Sequence, residues 1–188
     1  MDSIKTQAKR AMNTSGRKAC LVIDHLVEAL AADPASSLKR ALILVHIDEN
    51  PGITQTEIMK NLDIKSKTTM NREIEWLFNY GCIHRQQDKN DGRAIKLETC
   101  GYAKRALESA LDYFPNRHKN LQNLLNRYIK ILRQARPTLR DARIIATLYE
   151  KKKTSKPELM DSLYNGPATT DNRAYKKLID DGVIRDDG

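Results

Sequence analysis

The chain has 188 residues, 30% charged and only 5% aromatic, which suits a helix-rich protein with one large core or two small ones. Lys plus Arg at 33 against Asp plus Glu at 24 gives a net charge of +9, a balance found in nucleic-acid binders although not proof of one. The three scattered cysteines, Cys20, Cys82 and Cys100, offer neither a disulfide framework nor zinc-ligand spacing, no apolar run approaches the roughly 18 residues of a membrane span, and the polar N-terminus lacks a signal-peptide core, so a cytoplasmic, nucleoid-associated location is expected.

Residues 1–15 read as a polar, irregular arm. From Gly16, the spacing of Leu21, Val22, Leu26, Val27 and Leu30 predicts a helix to about Ala32, closed by Asp33-Pro34, that covers a core or dimerises and stands outside any repeat. Leu38 to Glu49 reads as the next helix, ended by Asn50-Pro51-Gly52. Thr54 and Glu57 form a capping box that opens a short helix through Ile58, Met59 and Leu62, and Asp63-Ile64-Lys65 makes the turn.

A third helix follows from about Ser66 to Tyr80. Met70, Ile74, Leu77 and Phe78 are expected on its buried face. Ser66, Lys67, Thr68, Thr69, Asn71 and Arg72 then fall near its N-terminal end on other faces, where a recognition helix presents side chains to a major groove. Short hydroxyls can bond phosphate or base edges, Asn can pair with adenine, and Arg can pair with guanine or hold a phosphate. The plainer reading is that Thr and Asn simply cap a first turn. Gly81 stops the helix, and strands at Cys82–Gln87 and Arg93–Glu98, with Ile83, Ile95 and Leu97 inward, form a wing around Asp88–Gly92. Lys89 or Arg93 can reach DNA from its tip; equally, Asp91 can hold Arg93 as a loop brace.

Helices are expected next at Tyr102–Tyr113 and, beyond Pro115, to about Gln134, the second with a stripe of Leu121, Leu124, Leu125, Tyr128, Ile129 and Leu132. No acidic residue separates Phe114 from Asp141, while Arg117, Lys119, Arg127, Lys130, Arg133, Arg136 and Arg140 accumulate. That basic face is read as solvated, with DNA-backbone contact as the minority reading.

Beyond Pro137 the sequence repeats itself. A shift of 101 positions aligns Ala41 with Ala142, Glu57 with Glu158, Leu77 with Leu178 and Gly81 with Gly182, and brings Thr68-Thr69-Met70-Asn71-Arg72 onto Thr169-Thr170-Asp171-Asn172-Arg173. The second copy carries its own capping box at Ser155 and Glu158, its own turn at Asn165-Gly166, Pro167 early in a third helix over 167–181, and a strand begun at Val183-Ile184-Arg185, with the wing incomplete. Asp171 is expected to weaken the electrostatics of its Asn-Arg pair. The resulting division is an N-terminal arm and helix at 1–37, a first winged helix-turn-helix at 38–100, connecting or dimerisation helices at 101–136, and a second winged helix-turn-helix at 137–188. The fold class is mainly α with a small β-hairpin wing, as tandem winged helix-turn-helix modules joined by long helices.

Residues 38–112 resemble the multiple-antibiotic-resistance regulator (MarR) family of winged-helix transcription factors. The resemblance rests on Asn50-Pro51-Gly52-Ile53-Thr54, the pentad followed by Leu77 and Gly81, the Asp91-Gly92-Arg93 wing, and a helix opened by Thr99 and Gly101. It implies a dimeric regulator with recognition helix and wing on DNA.

The reading that follows is a sequence-specific double-stranded DNA-binding protein, most simply a transcriptional regulator, using helices 66–80 and 167–181. The candidate contacts are Ser66, Lys67, Thr68, Thr69, Asn71, Arg72, Lys89, Arg93, Thr169, Thr170, Asn172 and Arg173. Alternatives are a plasmid or phage replication or partition protein, and an adaptor that docks a protein partner through residues 137–188. No enzyme motif surrounds His25, His46, His84 or His118, and no catalytic residue, cofactor or metal is expected. Cys20 beside Arg17 and Lys18 is read either as an oxidant-sensing thiol or, more simply, as a buried helix residue.

Overall fold

The computed structural model describes residues 16–88, 94–151, 154–163 and 168–185. The N-terminal arm, the wing tip with Lys89 and Arg93, the Asn165-Gly166-Pro167 turn and residues 186–188 lie outside the described residues.

In chain order the elements are α1 (Gly16–Ala29), α2 (Leu38–Glu49), β1 (Ile53–Thr54), α3 (Gln55–Asn61), α4 (Lys67–Asn79), β2 (Ile83–Gln87), β3 (Ile95–Thr99), α5 (Gly101–Leu111), α6 (Arg117–Leu132), α7 (Leu139–Lys151), α8 (Lys156–Asp161) and α9 (Ala168–Asp180). The starts of α2, α3 and α4 have local causes. Ser37 caps α2 by accepting the Arg40 N–H at 3.1 Å, and Thr54 and Glu57 complete the capping box of α3. The Glu57 carboxyl is held below its ordinary value by the backbone N–H of Thr54, at 2.8 Å. Ser66 caps α4 through the Thr69 N–H at 3.2 Å.

The three strands lie in the order β1-β3-β2, all antiparallel, with Ile53 opposite Leu97 and Ile83 opposite Thr99. β1 is a short edge that the residue pattern did not predict, because two residues carry no alternation. Leu97 and Ile83 turn inward as expected. Ile95 does not: it is 51% exposed, so only one residue of β3 reaches the core. Phe78 is a second correction, exposed at the end of α4 under the Arg85 guanidinium, 4.5 Å from the ring centroid. The fourth buried residue of α4, beside Met70, Ile74 and Leu77, is Glu73 instead.

The second half repeats these devices. Thr138 and Asp141 form a capping box at the start of α7, with the Thr138 N–H to Asp141 Oδ2 at 2.8 Å and the Asp141 N–H to Thr138 Oγ1 at 3.2 Å. Ser155 and Glu158 do the same for α8. Helices α4 and α9 end alike: Gly81 at φ 67° and Gly182 at φ 68° take the left-handed conformation glycine adopts at least cost. The following N–H groups of Cys82 and Val183 return to Leu77 O at 2.8 Å and Leu178 O at 2.9 Å. Val183 is buried, but Val183 and Ile184 form bends and Arg185 has no regular structure, so the expected strand does not start there.

Among the described residues the halves meet at a short bridge and along packed helices. Ser37 and Thr138, 101 positions apart, form an isolated antiparallel bridge, in which the Leu38 N–H donates to Pro137 O and the Leu139 N–H to Ser36 O, both at 2.9 Å. Beyond the bridge, α1 packs along α7 and α6 packs along α2. Helix α1 therefore plays for α7 the part that α6 plays for α2, which corrects the expectation that α1 stands outside the repeat. Its buried Ala19, Val22, Ile23, Leu26 and Leu30 correspond to Leu121, Leu124, Leu125, Tyr128 and Leu132 of α6. The offset is one residue larger here than elsewhere because the link from Leu132 to Leu139 is one residue shorter than that from Leu30 to Leu38. A one-residue slip turns a helix by about 100° relative to an ungapped alignment, which hides the match.

The α1–α7 contact is close. A Cβ on Gly16 would meet the Glu150 backbone nitrogen at 2.5 Å, so only glycine fits there. Arg143 of α7 grips Asp24 of α1 through two hydrogen bonds of 2.8 and 3.2 Å. Cys20 sits in this interface, its Sγ 3.7 Å from Thr147 Oγ1, and burial pushes its thiol up rather than down. That removes the oxidant-sensing reading, which needs a stabilised thiolate. Helix α5 packs on α1, with Ala103, Ala106, Leu107, Ala110 and Leu111 buried as expected.

Candidate nucleic-acid interface

Helix α4 presents the first candidate surface. Ser66, Lys67, Thr68, Asn71 and Arg72 are exposed and Thr69 is half-buried, while Met70, Glu73, Ile74 and Leu77 form the opposite, buried face. Asn71 Oδ1 accepts a hydrogen bond from the Gln55 carboxamide in the first turn of α3. A carboxamide oxygen has a second lone pair, and the Asn71 NH2 group keeps its donors, so the contact orients the amide without using up its base-pairing capacity. Gln55 was missed in the sequence because its role depends on how α3 crosses α4.

Below this surface lies a buried charge network. Arg40 Nε meets Glu73 Oε2 at 2.8 Å, both side chains at most 5% exposed, and the Arg40 guanidinium also stacks over Trp76 at 3.9 Å from the ring centroid. Burial pulls the Arg40 guanidinium down from its usual value and the Glu73 carboxylate opposes that shift. Glu73 Oε1 faces Arg72 at 3.6 Å and Arg136 at 3.7 Å. One carboxylate thus ties α2, the exposed Arg72 and the segment leading into the second half. Removing one partner of such a buried pair strands the other charge, at a cost of about 3–5 kcal/mol.

Helix α9 presents the second surface. Thr169 and Arg173 are exposed, and Thr170 and Asn172 half-buried. Asp171 is 3% exposed and lies against Arg140, Nε to Oδ1 at 2.8 Å. The N–H is not aligned for a hydrogen bond to that oxygen, so the contact is one of charge at short range. The expectation that Asp171 weakens the Asn-Arg pair is corrected: its charge is buried and neutralised on the core side. Lys156, Asn172, Arg173, Tyr175, Lys176 and Ile179 line a shallow depression on the outer side. Lys156 stands 101 positions from Gln55, and its ammonium lies over Tyr175, 5.6 Å from the ring centroid, in the same depression as Asn172.

The acid-free stretch is less free than its sequence. Arg117 pairs with Glu108, and with Asp112 at 3.4 Å; Arg136 reaches Glu73 and Arg140 reaches Asp171. Histidines hold helices together: His118 Nε2 lies 2.9 Å from Asp48 Oδ2, bringing α6 to α2, and the Asn61 amide reaches His46 Nε2 at 3.1 Å. At the base of the wing, Lys96 pairs with Asp88 at 3.0 Å and Arg85 with Glu75 at 2.8 Å. Among the described residues no cluster of His, Cys, Asp and Glu could hold a metal ion, and no helix is long and apolar enough to cross a membrane.

Against known proteins, residues 37–95 match the model of the MarR family. Among solved structures, the crystal structure of MarR shares 24% identity over 59% of this chain and 74% of its own, with a TM-score of 0.39. The transcriptional regulator SlyA shares 23% identity over 61% of this chain and 79% of its own, with a TM-score of 0.33. No curated protein matches the chain. The matched segment runs from the cap of α2 to the start of β3 and includes α3, α4 and the sheet edge, that is, a MarR-like winged helix. The match supports a DNA-binding role in transcription regulation.

Proposed function

We propose, from the MarR-family domain at residues 37–95, that the chain is a sequence-specific double-stranded DNA-binding protein acting as a transcriptional regulator. The observation that carries this reading is the outer face of α4, where Thr68, Asn71 and Arg72 are exposed at the N-terminal half of a helix whose other face is fixed in the core. Helix α4 enters a major groove with Asn71 and Arg72 at base edges; Ser66, Lys67, Thr68 and Thr69 hold phosphates, and the wing, with Lys89 and Arg93, lies along the flank. Residues 137–188 act as a second module of the same kind, with Thr169, Thr170, Asn172 and Arg173 of α9 in the corresponding roles.

The adaptor alternative rests on the acidic end of the second copy, Asp180-Asp181 and Asp186-Asp187. Burial of Asp171 against Arg140 leaves those charges untouched but takes the carboxylate beside Asn172 and Arg173 off the surface, which favours DNA at that helix. The test is binding of the intact protein to a random duplex library across a salt series, beside the Asn71→Ala/Arg72→Ala variant. Enrichment of one motif, affinity that falls steeply with salt, and loss of discrimination in the variant by about 1–3 kcal/mol per base contact are expected. Equal binding to all duplexes, unchanged by the substitutions, would contradict the proposal.

A further inference from the structure

We infer that a single chain carries its own twofold axis, so that α4 and α9 read the two halves of one inverted-repeat DNA site, with non-identical half-sites and one chain bound per site. The inference rests on the DNA-binding reading above and adds the geometry and stoichiometry of the target.

Two independent observations define the axis. The first is the bridge: residues facing each other in an antiparallel pair are related by a local twofold, and here the facing residues are Ser37 and Thr138, the caps of α2 and α7. The two hydrogen bonds, Leu38 N–H to Pro137 O and Leu139 N–H to Ser36 O, exchange with each other when positions 101 apart are interchanged. The second is reciprocity of packing. A twofold that exchanges α2 with α7 and α1 with α6 turns the α1–α7 contact into the α6–α2 contact, and both are present. A translation or screw between the copies would give neither the self-paired bridge nor the reciprocal contacts.

The axis extends to the candidate reading helices because the two halves are built alike: α3 packs on α4 as α8 packs on α9, both reading helices end at a left-handed glycine, and each carries a buried carboxylate paired with an arginine of its own half, although those pairs do not occupy equivalent positions. Arg40, in the first turn of α2, holds Glu73 of α4 at 2.8 Å; Arg140, in the first turn of α7, holds Asp171 of α9 at 2.8 Å. DNA has twofold axes perpendicular to its own, so two reading helices related by a twofold meet equivalent bases on opposite strands, an inverted repeat rather than a direct one. The half-sites differ because the residues do: Lys67 corresponds to Ala168, and Gln55, which bonds Asn71, corresponds to Lys156, which lines the same depression as Asn172. The symmetry that a dimer assembles from two chains is here supplied within one.

The test is selection of duplexes from a random library by the full-length protein, followed by mass measurement of the complex on the selected duplex by light scattering. The expected result is an inverted repeat with unequal halves and one chain per duplex. Arg72→Ala should relax specificity about tenfold to a hundredfold at one half only, and Arg173→Ala at the other only. Both residues are exposed, so folding is not at stake. A direct repeat, a single half-site, or two chains on one inverted repeat overturns the twofold inference while leaving the DNA-binding reading intact. Failure to enrich any sequence overturns the DNA-binding reading and this inference together.

Discussion

In the first turn of α4 the core position is Met70; at the same place in α9 it is Asp171. Both are buried, at 0% and 3% exposure, and both sit between a threonine pair and an Asn-Arg pair facing outward. The first half puts its buried carboxylate three residues later, at Glu73, and matches it with Arg40; the second puts it at Asp171 and matches it with Arg140. Neither the two arginines nor the two carboxylates fall on equivalent positions of the repeat. What the two halves share is the device, a cation from the first turn of one helix neutralising an anion on the inner face of the next, and not the residues that build it. An outer surface can therefore be kept the same while the inner one is rebuilt, provided charge is balanced inside.

The largest effects should come from breaking that balance. Glu73→Ala strands Arg40, and Asp171→Ala strands Arg140, each at about 3–5 kcal/mol in denaturant unfolding. Replacing the pair by apolar residues, Asp171→Met (the residue at the matching position of the first half) together with Arg140→Leu, removes both charges and should leave stability unchanged or raised. A loss as large as that of Asp171→Ala would mean the pair is needed for more than neutrality. Next in size are Ile23→Ala in α1 and Leu125→Ala in α6, buried at corresponding positions, which should each cost about 2–5 kcal/mol. A large loss from one and none from the other would show that the two interfaces are not equivalent in strength. Smaller still, Ser37→Ala and Thr138→Ala should each cost about 1 kcal/mol, as helix caps do.

The smallest effect is a pH dependence confined to the first half. Burial holds the His46 ring below its ordinary pKa, and Nε2 accepts the Asn61 amide in its neutral form. Below about pH 6.5 the unfolded chain binds a proton that the folded chain refuses, so stability falls as pH drops through that value and levels off below the folded pKa. His46→Gln should flatten this part of the unfolding profile. A slope unaltered by the substitution would assign it to another group.

Much of this was legible in the sequence because it depends on local chemistry. Capping boxes at Thr54–Glu57 and Ser155–Glu158, left-handed glycines at 81 and 182, and the apolar stripes of α5 and α6 are all set by residues within a few positions of one another. Features decided by packing between elements were not legible. Glu73 lies at helical spacing between Met70 and Leu77, and that spacing was its signal, but a carboxylate on a core face is credible only once Arg40 is seen opposite. Arg140 looked like one more cation of a basic stretch until Asp171 was found beneath it. Helix α1 escaped the repeat because a one-residue difference in linker length shifts its stripe out of an ungapped alignment. In the candidate site, exposure of Thr68, Asn71, Arg72 and Arg173 follows the helical period, whereas the contact of Gln55 with Asn71 depends on how two helices cross.

The most direct measurement is the affinity of the intact protein for its selected duplex at fixed salt, compared with the Asn71→Ala/Arg72→Ala and Asn172→Ala/Arg173→Ala variants. The account predicts that both variants lose discrimination, by about 1–3 kcal/mol per base contact removed, and that each loses it at a different half of the site. Full discrimination retained in the Asn172→Ala/Arg173→Ala variant would contradict the claim that both halves of the chain read DNA.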